Sequence, residues 1–271
     1  MVKNLDQNGL KSIIDQYDLF FIDIWGVIHN GIKLNMGSIE VLDQITKYDK
    51  EFVLLTNAPR PNKTVKSFLL KMGLKNYLDN VYTSGEAALN YLLNDFIDKK
   101  FFHIGPPRDF DLFIKLNDQK VSNIEEADYI LCTGLFENYE NNLSYYETIM
   151  KNNTQKKMIC TNPDLVVDRG QKREFCAGAV ANIFQKMNGE VIFFGKPYAP
   201  VYSLSINIGS KKVLCIGDNL NTDIKGANKQ GFDSLLITSG IHRKEIVDQD
   251  LISLSNKYKV EINYSQTNLQ W

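Results

Sequence analysis

VLCIGDNLNTDIKGANKQGFDSLLITSG, residues 213–240, decides the architecture of this chain. The apolar run VLCI stops at Gly217-Asp218-Asn219. An amphipathic stretch over Thr222 to Gln230 follows, with Gly231 as its stop, and a second apolar run ends in Thr238-Ser239-Gly240. This order reads as two parallel strands joined by a crossover helix, because parallel neighbours cannot be connected by a tight turn. In such a sheet the loops leaving the carboxyl ends of the strands line the crevice where ligands bind.

The same rhythm extends along the chain. LFFID at 19–23 and FVLLTN at 52–57 also end in polar residues. FFHIG from Phe101, DYILCTG from Asp128, KMICTNPD from Lys157 and EVIFFGKP from Glu190 repeat it as a candidate second sheet. Helical stretches are read at Asn62 to Met72, Glu86 to Leu93, Ser144 to Lys151 and Phe175 to Met187. The class is α/β. From about Asp248 the chain is polar and weakly patterned, a terminal helix or a loose tail.

Composition excludes several classes of function. A length of 271 residues points to two domains, and 44% hydrophobic with 23% charged residues describes a chain that folds on its own core. The net charge of −1 leaves no basic excess for a nucleic acid or an anionic membrane. Apolar runs such as Leu19 to Ile22 are far shorter than the ~18 residues that span a bilayer. No secretory signal is read at the N-terminus, so a cytoplasmic location is expected. Cys132, Cys160, Cys176 and Cys215 lack any zinc-binding spacing and read as small buried hydrophobes in a reducing compartment.

The candidate chemistry sits where apolar runs end. Asp23 closes LFFI, Thr56-Asn57 closes FVLL, Gly195-Lys196-Pro197 closes VIFF, and GDNLNTD supplies Asp218 and Asp223. Each alone reads as turn or capping chemistry. Together they offer a nucleophilic carboxylate, a hydroxyl and amide, a cation and an acidic loop. A carboxylate approaching a phosphate dianion is repelled, so a divalent cation and a lysine must lower the barrier, and oxygen-only ligands favour magnesium over zinc. Thr56 and Lys196 are 140 residues apart, which calls for a folded insertion between them.

In their order along the chain, DIWGV, LLTN, GKP and GDNLNTD resemble the motifs of the haloacid dehalogenase superfamily, and TSGEA from Thr83 and TNPD from Thr161 resemble signatures of its class IIA phosphatases. The resemblance spans most of the chain. It implies a Rossmann-like parallel-sheet core of residues 1–83 plus 189–271, with an α/β cap of the C2 type inserted at 84–188. The implied activity is Mg²⁺-dependent hydrolysis of a small phosphate monoester through an aspartyl-phosphate. Asp23 would be the nucleophile, Lys196 would neutralise charge, and Thr56 and Asn57 would hold phosphoryl oxygens. Asp23, the Trp25 backbone carbonyl, Asp218 and Asp223 would surround the magnesium. The partner would be a small phosphorylated metabolite; homo-oligomerisation stays open.

One position departs from the family pattern. Relatives usually carry a second aspartate, the acid that protonates the leaving oxygen, where this chain has Trp25. Loss of a general acid lowers a rate by ~10² to 10⁴. Two readings follow: a slow phosphatase that favours aryl or acyl phosphates, or a phosphate-ligand binding or regulatory protein. His29 is either a replacement acid or a packing residue, and packing is the preferred reading. GEVIFFGK at 189–196 lacks P-loop spacing. Arg60 and Ile241-His242-Arg243 are assigned no role.

Overall fold

The structure, a computed structural model, describes residues 2–169 and 172–271. In chain order its strands are β1 (Lys3–Asn4), β2 (Leu19–Asp23), β3 (Glu51–Thr56), β4 (Val81–Thr83), β5 (Phe101–Ile104), β6 (Lys120–Val121), β7 (Tyr129–Cys132), β8 (Lys157–Cys160), β9 (Val166–Arg169), β10 (Lys172–Phe175), β11 (Glu190–Phe193), β12 (Val213–Gly217), β13 (Asp233–Ile237) and β14 (Tyr264–Gln266). The chain divides into two compact units. The first comprises Met1–Thr56, Lys66–Tyr82 and Lys196–Trp271, and the second Asn57–Val65 and Thr83–Gly195.

The first unit carries a seven-stranded sheet in the order β1-β14-β13-β12-β2-β3-β4. The pairings from β1 through to β3 are parallel. β2 and β12 are buried along their whole length, which is why their sequences run apolar without alternating: both faces of a parallel sheet are covered. Leu19, Phe21, Val53, Leu55 and Cys215 pack with Val201 and Tyr202, whose ring meets Phe21 edge-on at 5.2 Å. Leu220, Ile224, Leu236, Leu254 and Ile262 form a further cluster.

The C-terminal segment is no loose tail. The helix Leu251–Tyr258, capped by Asp250 accepting from the Ser253 N–H at 2.7 Å, leads into β14, which lies between β13 and β1. β14 escapes a reading of apolar runs because its sequence is YSQ. Side chains help to hold this edge, with Gln266 Nε2 donating to the Leu5 carbonyl at 3.3 Å and Asn263 Oδ1 accepting from the Ser234 N–H at 2.8 Å.

The second unit has its own parallel sheet, β11-β8-β7-β5-β6, and an antiparallel pair, β9 and β10. A cap confined to 84–188 would leave β11 outside it. β11 instead pairs with β8, Phe193 opposite Cys160, so the unit runs on to Gly195. The TSGEA stretch has a local reason: Thr83 is the N-cap of the helix Ser84–Asp95, its Oγ1 accepting from the Glu86 N–H at 2.9 Å. Ser84 Oγ donates to the Thr161 carbonyl at 2.6 Å, tying that helix start to the TNPD loop. All four cysteines are buried and free. Among the described residues no helix is long and apolar enough to cross a membrane.

Candidate active site

Asp23 is the last residue of β2, and the register sets it opposite Leu55 of β3 while Ile22 pairs with Ile216 of β12. β12 ends one residue later at Gly217, so Asp218 leaves the sheet beside Asp23. β2 is also where strand order reverses, with β3 and β4 on one side and β12, β13 and β14 on the other. Such a switch point opens a crevice at the carboxyl edge. One carboxylate oxygen from each of Asp23, Asp218 and Asp223 lies within 4.8 Å of the others, and all three residues are buried.

Lys196 enters the same cluster at 4% exposure. Its Nζ donates to Asp23 Oδ1 at 2.5 Å and to the Leu55 carbonyl at 3.0 Å, and it pairs with Asp223 Oδ1 at 2.7 Å. Asp223 stands in a π-helical turn, Leu220–Ile224, where its Oδ2 accepts from the Asn219 N–H at 3.0 Å. Asp218 Oδ2 accepts from the Ile241 N–H at 2.8 Å. Thr56, buried at the end of β3, follows the carbonyl that Lys196 grips. Asn57, also buried, begins the second unit.

Two glycines make room for the Asp218 carboxylate, and reading by residue chemistry passes over both. Gly26 has φ +90°, and a Cβ there would come within 2.2 Å of Asp218 Oδ2; a Cβ on Gly240 would lie 2.2 Å from the Asp218 Cβ. Their sequence signal is that each lies three residues past a strand end: DIWG closing β2 and ITSG closing β13.

When all three aspartates are ionised, three carboxylates face one ammonium and leave two negative charges in a buried site. Burial pushes the Asp23 carboxyl well above the usual carboxylate range; Lys196 opposes this, and repulsion from Asp223 and Asp218 adds to it. Burial disfavours the charged form of Lys196, but Asp223 and Asp23 outweigh it and hold the ammonium protonated. The surplus charge and the oxygen-only donors fit a hard divalent cation such as magnesium.

Residues 20–117 match the sequence profile described as haloacid dehalogenase-like hydrolase, and residues 193–258 match a second profile of the same kind. A haloacid dehalogenase-like hydrolase of known structure from Brucella suis is 30% identical, with a TM-score of 0.81 over 96% of this chain and 98% of that one. The chain belongs to the haloacid dehalogenase-like family. An acid sugar phosphatase of Staphylococcus epidermidis is 27% identical over 254 residues, covering 90% of this chain and 95% of its own length. A 4-nitrophenylphosphatase of Schizosaccharomyces pombe is 24% identical over 271 residues, covering 89% and 90%.

In this haloacid dehalogenase-like chain the segment after Asp23 folds into a strap. The Gly26 N–H bonds to the His29 carbonyl at 2.8 Å, and the His29 N–H to the Ile24 carbonyl at 3.1 Å. The Trp25 indole belongs to that strap: its ring centre is 5.0 Å from His29, and a Cβ on Gly31 would come within 2.7 Å of its Cζ2. His29, 3% exposed, also meets Phe68 edge-on at 5.5 Å. Its Nδ1 accepts from the Gly31 N–H at 2.9 Å, which places the proton of the neutral ring on Nε2. Burial lowers its pKa to about 4, so at pH 7 it is a neutral packing ring.

Arg60, in the second unit, is held bidentately by Asp111, Nε to Oδ1 at 2.7 Å and a terminal nitrogen to Oδ2 at 2.8 Å. Asp111 thereby occupies one edge of its guanidinium. His242 pairs with Glu245 at 2.8 Å and meets the Tyr258 ring at 4.9 Å, tying the loop after β13 to the C-terminal helices.

Proposed function

We propose that this chain is a magnesium-dependent phosphomonoesterase of the class IIA type, acting on a small phosphorylated metabolite through a phosphorylated Asp23. The observation that carries the reading is the buried cluster of Asp23, Asp218 and Asp223, in which Lys196 pairs with Asp23 and Asp223. The phosphatases among its relatives support the reaction class, and their different substrate names leave the metabolite open.

Asp23 attacks phosphorus along the carboxyl edge of the sheet. Lys196 stays protonated and neutralises charge on the nucleophile and on the incoming phosphate. Thr56, with Asn57 next to it in the chain, donates to phosphoryl oxygens. Asp23, Asp218, Asp223 and the Trp25 carbonyl would hold the metal, which when bound supplies Lewis-acid neutralisation of the phosphate. Asp223 has a second task, since its Oδ1 fixes the Lys196 ammonium.

The test is hydrolysis of a panel of phosphate esters with and without Mg²⁺, in the native chain and in Asp23→Asn. Metal-dependent release of phosphate that the substitution abolishes is expected. Saturable binding of Mg²⁺ and a phosphate ester with no hydrolysis of any substrate would replace this reading with that of a phosphate-binding regulatory protein.

A further inference from the structure

We propose that this site cleaves phosphate groups whose leaving oxygen departs without a proton, acyl and aryl phosphates, and that phosphorylated Asp23 accumulates during turnover. The inference rests on the phosphomonoesterase reading and names its substrate class.

The argument concerns where a proton could come from. The side chain two residues after Asp23 is an indole, which has no titratable proton to give, and it packs on its own strap. The chain has three histidines. His29 lies between Trp25 and Phe68 with its Nδ1 accepting from the Gly31 N–H. His103 pairs with Thr133 at 2.8 Å in the second unit, and His242 is engaged by Glu245. Lys196 directs its ammonium at Asp23, Asp223 and the Leu55 carbonyl. Both oxygens of Asp223 accept, from Lys196 and from the Asn219 N–H, and Asp218 Oδ2 accepts from the Ile241 N–H. Thr56 and Asn57 are assigned to the phosphoryl oxygens, and the charged groups gathered at Asp23 are engaged as acceptors or as a fixed cation.

The proton balance divides the two half-reactions. In the first, a lone pair of Asp23 forms an O–P bond while the bond from phosphorus to the leaving oxygen breaks, and its electron pair leaves with that oxygen. A carboxylate or phenolate carries this charge unaided, whereas an alkoxide needs a proton that none of the described groups named above is placed to give. In the second, water forms a bond to phosphorus, the Asp23–phosphorus bond breaks and its electrons return to the carboxylate, and the proton of the water passes to solvent. The carboxylates beside Asp23 are engaged by Lys196, the Asn219 N–H and the Ile241 N–H, so the water gives up its proton without a dedicated base, and the second step is the slow one for every good leaving group.

The experiment uses the full chain with Mg²⁺ and a series of acetyl, 4-nitrophenyl, phenyl and ethyl phosphates, with rapid-quench measurement of 4-nitrophenolate. The expected results are a fall of kcat/KM by ~10² or more from the activated to the alkyl ester, one kcat shared by acetyl and 4-nitrophenyl phosphate, and a nitrophenolate burst approaching one per site. Trp25→Asp should raise kcat/KM on ethyl phosphate by ~10² and remove the burst. Should Trp25→Asp fail to fold, the native chain decides alone. Hydrolysis at rates independent of the leaving group, or without a burst, overturns this inference and leaves the phosphatase reading standing. No hydrolysis and no phosphoenzyme with any ester, acetyl phosphate included, overturns both.

Discussion

Replacing Lys196 with methionine keeps most of the length of the side chain and deletes the cation paired with two of three clustered buried carboxylates. Lys196 is 4% exposed and its ammonium lies 2.5 Å from Asp23 and 2.7 Å from Asp223, so its removal leaves both carboxylates desolvated beside each other. Removing one partner from a buried ion pair costs about 3 to 5 kcal/mol, which for a unit of this size lowers its melting temperature by on the order of 10 °C. The assay is thermal and urea unfolding of the first unit in EDTA, in the native chain, Lys196→Met, and Lys196→Met with Asp223→Asn. The double variant should recover part of the loss, because one of the two stranded charges is gone. The pH dependence follows from Asp23, whose folded pKa is raised above its unfolded value by burial. The folded state therefore binds the proton more tightly, and stability rises as pH falls through the folded pKa. The deficit of Lys196→Met should shrink from pH 7.5 toward acid. A deficit constant with pH, or a single variant as stable as the native chain, would refute the account of a shared charge cluster.

Two further outcomes are expected. Gly26→Ala drives a Cβ into Asp218 at a position with φ +90°, and a catalytic group misplaced by about 1 Å costs ~10² in turnover; steady-state kinetics with Mg²⁺ titration checks this, and activity within a few-fold of native sinks it. His29, whose pKa falls from 6.5 to about 4 on folding, favours the folded state above pH 6.5 and loses that contribution as pH falls toward 4, by roughly 3 kcal/mol. The loss of stability with acid should flatten in His29→Phe, and equal acid slopes in the two chains would contradict a neutral buried ring.

The sequence by itself determined the α/β class and the order of the catalytic-type residues. A strand covered on both faces must be apolar throughout, and its abrupt end in Asp23, Thr56 or Asp218 is visible without coordinates. The 140-residue gap between Thr56 and Lys196 likewise demanded an inserted unit, since no loop in a compact sheet is that long. Other features depend on groups remote in the chain. Only the pairing of β2 with β12 brings Asp23 beside Asp218, and only the π-helical turn aims Asp223 at Lys196. Residue type does not reveal that Gly26 and Gly240 make room for Asp218, that Asp111 occupies Arg60, or that burial keeps His29 neutral. β14 and the extension of the second unit through β11 are decided by which edge a short strand meets. Local sequence carries periodicity and strand termination, whereas desolvation, charge and pairing are set by neighbours that only the folded chain brings together.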